Sequence, residues 1–153
     1  MLSVYEPFDF DDIPIDIKDD TKTDYIKGLI DLAKEDKSSV YIYLILSIGF
    51  LGYVYTQGVV VIFKQSQFLK FILLIGSLSL VLSAISFFWY WRKIHKCQIN
   101  LTGCLPTLNA KKAMSLWVDL WRINKILFKT GLVLIIIGIV SIGFTILIVN
   151  IFL

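Results

Sequence analysis

Hydrophobic residues occur in three long runs, separated by segments rich in charge. Residues 130–153 contain no charged residue and no proline over 24 positions. A helix of that length rises about 36 Å, which is enough to cross the roughly 30 Å hydrocarbon core of a bilayer. Residues 39–63 and 68–91 have the same character, apart from Lys70, which lies near a span end where its side chain can reach the interface. The pattern predicts three transmembrane helices.

The residues before the first span divide into two parts. Residues 1–18 alternate acidic and apolar side chains, and Pro7 and Pro14 prevent a regular helix through most of them. We expect an extended acidic segment with one apolar edge; a disordered acidic tail is the alternative. Residues 22–37 follow a sequence that resembles a capping box and place apolar side chains at helical spacing. They predict an amphipathic helix that continues into the first span.

The segment between the second and third spans, residues 92–129, predicts a loop followed by a helix. The second span ends in an aromatic belt, Phe87 to Trp91, of the kind found at membrane interfaces. Gly103 and Pro106 interrupt the next stretch. Asn109 or Thr107 can then cap a helix from about residue 110, continuous with the third span, which makes one rod of some forty residues. The predicted fold class is therefore an all-α membrane protein.

Charge is divided unequally along the chain. Residues 1–38 carry eleven of the twelve acidic residues against five lysines, a net charge of −6. Residues 92–129 carry eight basic residues against Asp119, a net charge of +7. The positive-inside rule places both segments in the cytoplasm and Leu153 on the far side of the membrane. We expect a multi-pass protein of the cell membrane, with its N-terminus cytoplasmic and no signal peptide, in which the two charged segments share a compartment.

Catalysis does not fit the residue inventory. The single histidine, His95, precedes Cys97 and Cys104, a set without the fourth ligand of a structural zinc site. The only acid after residue 36 is Asp119, so no Ser-His-Asp set can be assembled. The spans contain no charged residue at mid-depth, which argues against a proton-coupled pump or a voltage sensor. We expect a protein that is not an enzyme and binds neither a cofactor nor a metal.

Small polar residues form a stripe on each span. In the second span the stripe follows Gly76, and its serines are Ser79, Ser83 and Ser86. Small residues at this spacing commonly allow close helix packing. The alternative is that these serines line a narrow water-filled pore in an oligomer. Both interpretations fit the sequence.

A basic region with two tryptophans is the candidate ligand site. One interpretation is an interfacial helix whose indoles lie among headgroups and whose cations contact anionic membrane lipid. The other is an anion site, in which nucleotide bases stack on the aromatic faces. The candidate residues are Arg92, Lys93, Lys96, Lys111, Lys112, Trp117, Trp121, Arg122 and Lys125.

The opposite charges of the two cytoplasmic segments suggest a gate. We predict that the first twenty residues occlude a basic vestibule formed by residues 92–129 around the axis of an oligomer, since three spans are too few to enclose a channel. An anion that competes for the vestibule would release this plug. The plug residues are Phe8, Asp9, Phe10, Asp11 and Asp12.

In size, span layout, acidic leading segment and basic cytoplasmic region, the chain resembles the membrane effector of the Hailong anti-phage defence system. That family consists of small bacterial inner-membrane proteins that respond to a nucleotide messenger made by a neighbouring nucleotidyltransferase. The resemblance implies a homotetrameric ion channel, an N-terminal plug, and gating by single-stranded oligodeoxyadenylate. No ligand residue is carried over from the family; the basic residues named above follow from charge.

Two other functions remain open. A phage holin also has about this size and three spans, but holins generally end in a charged cytoplasmic tail, whereas this sequence ends at the edge of its third span. A non-conducting accessory subunit would use the small-residue stripes to dock on a larger membrane partner.

Overall fold

The computed structural model describes residues 19–58 and 67–152, and those residues form three long helices. Helix α1 comprises Asp19–Tyr53 and continues into a π-helical turn, Val54–Gly58. Helix α2 comprises Gln67–Cys104, and helix α3 comprises Ala110–Phe152. The predicted all-α fold with three apolar helices able to span a membrane is confirmed. The extended acidic segment predicted for residues 1–18 lies outside the described residues.

Each helix is much longer than a bilayer core requires. The helices contain 35, 38 and 43 residues. At 1.5 Å per residue they are about 52, 57 and 65 Å long, against a hydrocarbon core of roughly 30 Å. Each helix therefore has enough length to cross the membrane and to project at least 20 Å beyond the hydrocarbon core.

The amphipathic helix predicted for residues 22–37 is the first part of α1. Thr21, which the sequence suggested as a cap, lies inside the helix. The helix passes without a break into the first apolar run, as predicted, because one buried stripe continues from Ile26 through Ala33 and Val40 to Ser47. These side chains are spaced seven residues apart, so they stay on one face of the helix.

Helices that follow each other in the chain pack antiparallel, and three aromatic rings mark the centre of the bundle. Tyr43 on α1 stacks on Phe87 of α2, with ring centroids 5.5 Å apart. Phe128 on α3 meets both rings edge-on, at 5.5 and 5.8 Å. Phe87 is completely buried in this cluster. The contacts fix a common level on all three helices.

Two glycines allow α2 and α3 to approach closely on the other side of this level. A Cβ atom on Gly76 would lie 3.1 Å from the side chains of Ser141 and Ile142. A Cβ atom on Gly138 would lie 2.7 Å from Leu80. The buried residues Val54, Leu80, Ile135 and Ile142 form a second core cluster around this contact. Small-residue packing therefore joins α2 and α3 within the apolar runs.

Helix α2 extends well past the predicted end of the second span. Residues 92–104, where the sequence suggested a loop, are helical. The physical reason is a helical apolar face, Ile94, Cys97, Leu101 and Cys104, that is buried against the neighbouring helices. Burial of four side chains outweighs the cost of about 1 kcal/mol for Gly103 inside the helix.

A short loop, residues 105–109, connects α2 to α3. Leu108 adopts a positive φ of 49°, and Asn109 follows as the N-cap of α3. The Oδ1 atom of Asn109 accepts a hydrogen bond of 2.9 Å from the backbone N–H of Lys112. This cap is one of the two that the sequence suggested, and the helix begins at the predicted position.

Candidate functional site: a charged bundle beside the apolar spans

The most polar part of the described residues is a three-helix bundle formed by residues 19–38, 92–104 and 110–129, here called the polar bundle. The acidic part of α1 and the basic parts of α2 and α3 meet in it. The Tyr25 hydroxyl donates a hydrogen bond of 2.7 Å to the Met114 sulfur, between α1 and α3. The described acidic part of α1 and the basic segment thus lie at the same end of the three helices.

Apolar contacts hold the polar bundle together. Ile26 and Ala33 of α1 are completely buried, as are Leu101 of α2 and Ala113 of α3. They belong to one core cluster that runs down to the Phe87 ring. In the described residues, both ion pairs lie within α1, Lys22–Asp19 at 3.2 Å and Lys34–Asp31 at 2.8 Å. The charges therefore remain on the surface of an apolar core.

A junction of three side chains links α1 to α2 at the inner edge of the polar bundle. The Lys37 Nζ atom lies 3.1 Å from His95 Nδ1 and 5.3 Å from the centre of the Trp91 ring. The His95 ring stacks on Trp91 with centroids 5.6 Å apart. Since a lysine ammonium only donates hydrogen bonds, Nδ1 accepts and carries no proton. From the sequence, His95 was a candidate metal ligand; in the structure its Nδ1 atom contacts Lys37.

Burial and charge perturb the carboxyl group beside this junction. Burial, together with the neighbouring Glu35 charge, raises the pKa of Asp36 above its usual range. Burial makes the charged carboxylate less favourable, and a like charge nearby has the same effect. Asp36 therefore opposes folding slightly when it is ionised.

A surface groove of about 380 Å³ lies between α2 and α3. Polar side chains from both helices form its rim: Lys93, Lys96, Asn100 and Asp119. Its floor is apolar and consists of Cys97, Leu116 and Leu120. Two of the predicted ligand residues thus share one concave site with the only acidic residue after position 36. Sequence reasoning did not include Asn100 and Asp119, whose proximity depends on the register of the two helices.

The remaining basic candidates lie elsewhere on the surface. Arg92 is exposed on α2, and the candidate residues Lys111, Lys112, Arg122 and Lys125 are exposed cations of α3, as is Lys129. The Lys125 Nζ atom lies 4.5 Å from the centre of the Trp121 ring, which is 37% exposed. Trp117 instead packs against the core cluster. The structure therefore separates the two tryptophans: Trp121 offers a surface face, and Trp117 fills space between helices.

The three serines of α2 occupy different environments. Ser83 is completely buried; its hydroxyl donates to the Gly131 carbonyl at 2.9 Å and lies 3.2 Å from the Ser47 hydroxyl. Ser79 is buried, with an exposed fraction of 8%. Ser86 is partly exposed and bonds the Leu82 carbonyl of its own helix at 2.9 Å. In a single chain, Ser83 thus joins all three helices.

The two cysteines lie in α2 rather than in a loop. Both are free and buried, on one face two turns apart. The Cys97 thiol donates to the Leu116 carbonyl at 3.7 Å, and burial, with Cys104 nearby, raises its pKa to about 11. Among residues 19–58 and 67–152, no three potential metal ligands come together.

The five predicted plug residues, Phe8, Asp9, Phe10, Asp11 and Asp12, lie outside the described residues. No protein-family model, curated protein or solved structure matches this chain. Conclusions about its function therefore depend on the arrangement of its own side chains.

Proposed function

We propose that this chain is the subunit of an oligomeric ion channel, a membrane effector of bacterial anti-phage defence, that an acidic N-terminal plug closes and an anionic nucleotide or oligonucleotide opens. One observation carries the proposal: the polar part of α1, with six acids against four lysines, lies beside a strongly basic pair of helices at one end of three apolar spans. The plug itself and the messenger are hypotheses that this arrangement supports.

Conduction would require several copies of the chain. The helices of one copy contact each other through Phe87, Ser83 and Gly76, and three helices are too few to enclose a channel. Extensive apolar faces remain uncovered; Ile45, Ile48 and Val140, for example, are 51%, 55% and 63% exposed. Lipid or further copies must cover them. A ring of copies, as in the proposed homotetramer, would enclose a pore on its axis.

The length of the leading segment suits a plug. The polar part of α1, residues 19–38, rises about 30 Å along the bundle. An extended chain covers at most about 3.3–3.6 Å per residue, so some nine residues before Asp19 would be enough to return to the membrane edge. This count reaches the plug residues, 8–12. The charge of the first 38 residues, −6, complements the +7 of residues 92–129.

The messenger would act by competing for the basic residues. The exposed cations of α3, with the accessible ring of Trp121, offer phosphate contacts and a stacking face. Changing an equilibrium from 1% to 99% open requires a preference of about 5.5 kcal/mol for the open state. In a tetramer this is about 1.4 kcal/mol per site, a modest demand on a few charged contacts.

Ion flux from proteoliposomes tests the proposal. We expect the purified protein to be silent alone and to release ions when single-stranded oligodeoxyadenylate is added, with less effect from other sequences of equal length and charge. Leakage without ligand would favour a holin-like lesion. Silence with every oligonucleotide, including mixtures extracted from infected cells, would favour a non-conducting accessory subunit.

The plug has its own test. Reversing Asp9, Asp11 and Asp12 to Lys should give a channel that leaks without a messenger and that is toxic on expression. The matched control reverses Asp20, Asp24 and Glu35, three exposed acids of α1, with the same change in net charge. Equal leakage from both triple variants, or normal growth with the first, would contradict the plug.

A further inference from the structure

The groove between α2 and α3 lies at the depth of lipid headgroups. Trp89 and Trp91 end the second apolar run, and both tryptophans are typical of membrane interfaces. Lys93 and Lys96 follow Trp91 by about 3 and 8 Å along the helix. A bilayer is about 40–45 Å thick with its headgroups and about 30 Å without them, so each headgroup layer extends about 5–8 Å. Both lysines thus fall within that layer.

The register of the two helices places one carboxylate between these lysines. The Cys97 thiol contacts the Leu116 carbonyl. Because α2 and α3 are antiparallel, Asp119 lies about level with Ile94, between Lys93 and Lys96. All three charged side chains line the same groove. The site therefore combines two cations with one anion above an apolar floor.

That charge pattern is unsuited to a purely anionic ligand, because Asp119 would repel it. It complements a headgroup that carries one phosphate and one ammonium. We propose that this groove binds the headgroup of an aminophospholipid of the phosphatidylethanolamine class. The phosphate lies between Lys93 and Lys96, which are one helical turn apart. The ammonium faces Asp119, and the Asn100 amide supplies a further hydrogen bond.

A lipid is the favoured source of this headgroup, rather than a soluble phosphate compound, because of the position of the groove. A lipid is already concentrated in the layer that contains Lys93 and Lys96. Its acyl chains can lie along the apolar surface of α2 below the groove, where Trp89, two turns before Lys96 on the same face, is 52% exposed. The inference does not depend on channel activity. It assigns the groove to the membrane and leaves the exposed cations of α3 available for other anions.

Lipid retention measures this binding directly. The full chain is reconstituted in nanodiscs containing equal amounts of phosphatidylethanolamine and phosphatidylglycerol, extracted in mild detergent, and analysed by native mass spectrometry. Wild type should retain phosphatidylethanolamine preferentially. Lys93→Gln with Lys96→Gln should lower that retention about tenfold or more, since each basic residue near a membrane surface contributes appreciably to phospholipid binding. Lys27→Gln with Lys34→Gln, two lysines of α1 outside the groove, is the charge-matched control.

A second variant separates this headgroup from other phosphates. Asp119→Asn keeps the size of the side chain but removes the partner of the ammonium, so it should shift retention from phosphatidylethanolamine towards phosphatidylglycerol. Soluble glycerophosphoethanolamine, which lacks acyl chains, should not displace the lipid at millimolar concentration.

Three results would overturn the proposal. The first is unchanged retention in the double lysine variant, and the second is an unchanged lipid ratio in Asp119→Asn. The third is displacement of the lipid by the soluble headgroup or by an oligonucleotide, which would assign the groove to a soluble anion. Lys93, Lys96 and Asp119 all lie on the rim of the groove, and circular dichroism verifies that each variant remains folded.

Discussion

The Phe87 ring lies directly over Gly131, so closely that a Cβ atom on that glycine would come within 2.9 Å of the ring's Cζ atom. The ring has no room to move away. Tyr43 stacks on it at 5.5 Å and Phe128 contacts its edge at 5.8 Å. The packing at the junction between the polar bundle and the spans therefore requires a residue without a side chain at position 131.

Gly131→Ala should destabilise the protein by about 1–3 kcal/mol, the usual cost of overpacking a rigid core. Thermal unfolding in detergent, followed by circular dichroism, measures the change. The matched control is Gly143→Ala on the same helix, where an added Cβ atom meets nothing within 4 Å. The control should be neutral or slightly stabilising, because alanine is the better helix former. A stable Gly131→Ala variant would show that the helices separate easily here.

Ser83→Ala should cost about 1 kcal/mol. The substitution leaves the Gly131 carbonyl without its side-chain donor and removes the contact with Ser47. Hydrogen bonds between membrane helices average about 0.6 kcal/mol, and Ser83 makes two contacts. Ser86→Ala is the matched control, since its hydroxyl bonds only its own helix. Thermal unfolding in detergent measures the loss of stability in both variants. Equal losses in Ser83→Ala and Ser86→Ala would contradict a packing role for Ser83.

Cysteine substitution addresses pore lining separately. If Ser83 packs between helices, Ser83→Cys in a background without the native cysteines should resist a water-soluble thiol reagent in closed and open channels alike. Rapid modification on opening would instead place this position in a water-filled pore.

The raised pKa of Asp36 predicts a pH dependence of stability. The folded chain binds this proton more tightly than the unfolded chain does. The resulting stabilisation is present below the ordinary range of aspartate, near pH 4, and is lost as the pH rises through the raised pKa. Asp36→Asn should therefore melt at a higher temperature than wild type at pH 7, and the difference should shrink towards pH 4. Asp24→Asn, an exposed carboxyl on the same helix, is the control; a constant difference for Asp36→Asn would refute the prediction.

The Cys97 thiol should react slowly with alkylating reagents. A pKa of about 11 leaves roughly a hundredfold less thiolate at neutral pH than an ordinary cysteine has, and the thiolate is the nucleophile. Iodoacetamide labelling of a Cys104→Ser variant, followed by mass spectrometry, measures the rate. A cysteine at exposed position 115, in a chain without the native cysteines, is the reference. Denaturation in SDS should make the two rates equal; fast labelling of the folded Cys104→Ser variant would mean that the polar bundle opens.

The membrane fold could be predicted because its main signal is local. An uncharged run of 24 residues has few alternatives to a transmembrane helix. The continuous rod of α3 was also predictable, since no glycine or proline interrupts the chain between Asn109 and Thr130. The sequence predicted a loop in residues 92–104 because Gly103 and Pro106 are residues that usually interrupt a helix. The helical spacing of Ile94, Cys97, Leu101 and Cys104 is the signal that indicates the observed helix.

The candidate site was only partly predictable, because it depends on which helices become neighbours. Charge alone selected Lys93 and Lys96, but the groove that they share with Asp119 exists only in one register of α2 against α3. The serine stripe was ambiguous for a similar reason. Packing and pore lining require the same small polar residues, and the partners of Ser83 lie 36 and 48 positions away in the sequence.

The unbroken length of α3 has a mechanical consequence. Ala110–Phe152 is one helix from the loop at the tip of the polar bundle to the far end of the third span. A rod of about 65 Å that pivots by 5° at one end moves its other end by about 6 Å, roughly the radius of a helix with its side chains. When a molecule binds at the tip of α3 and displaces it, the displacement is transmitted to the opposite leaflet, because α3 is one continuous helix.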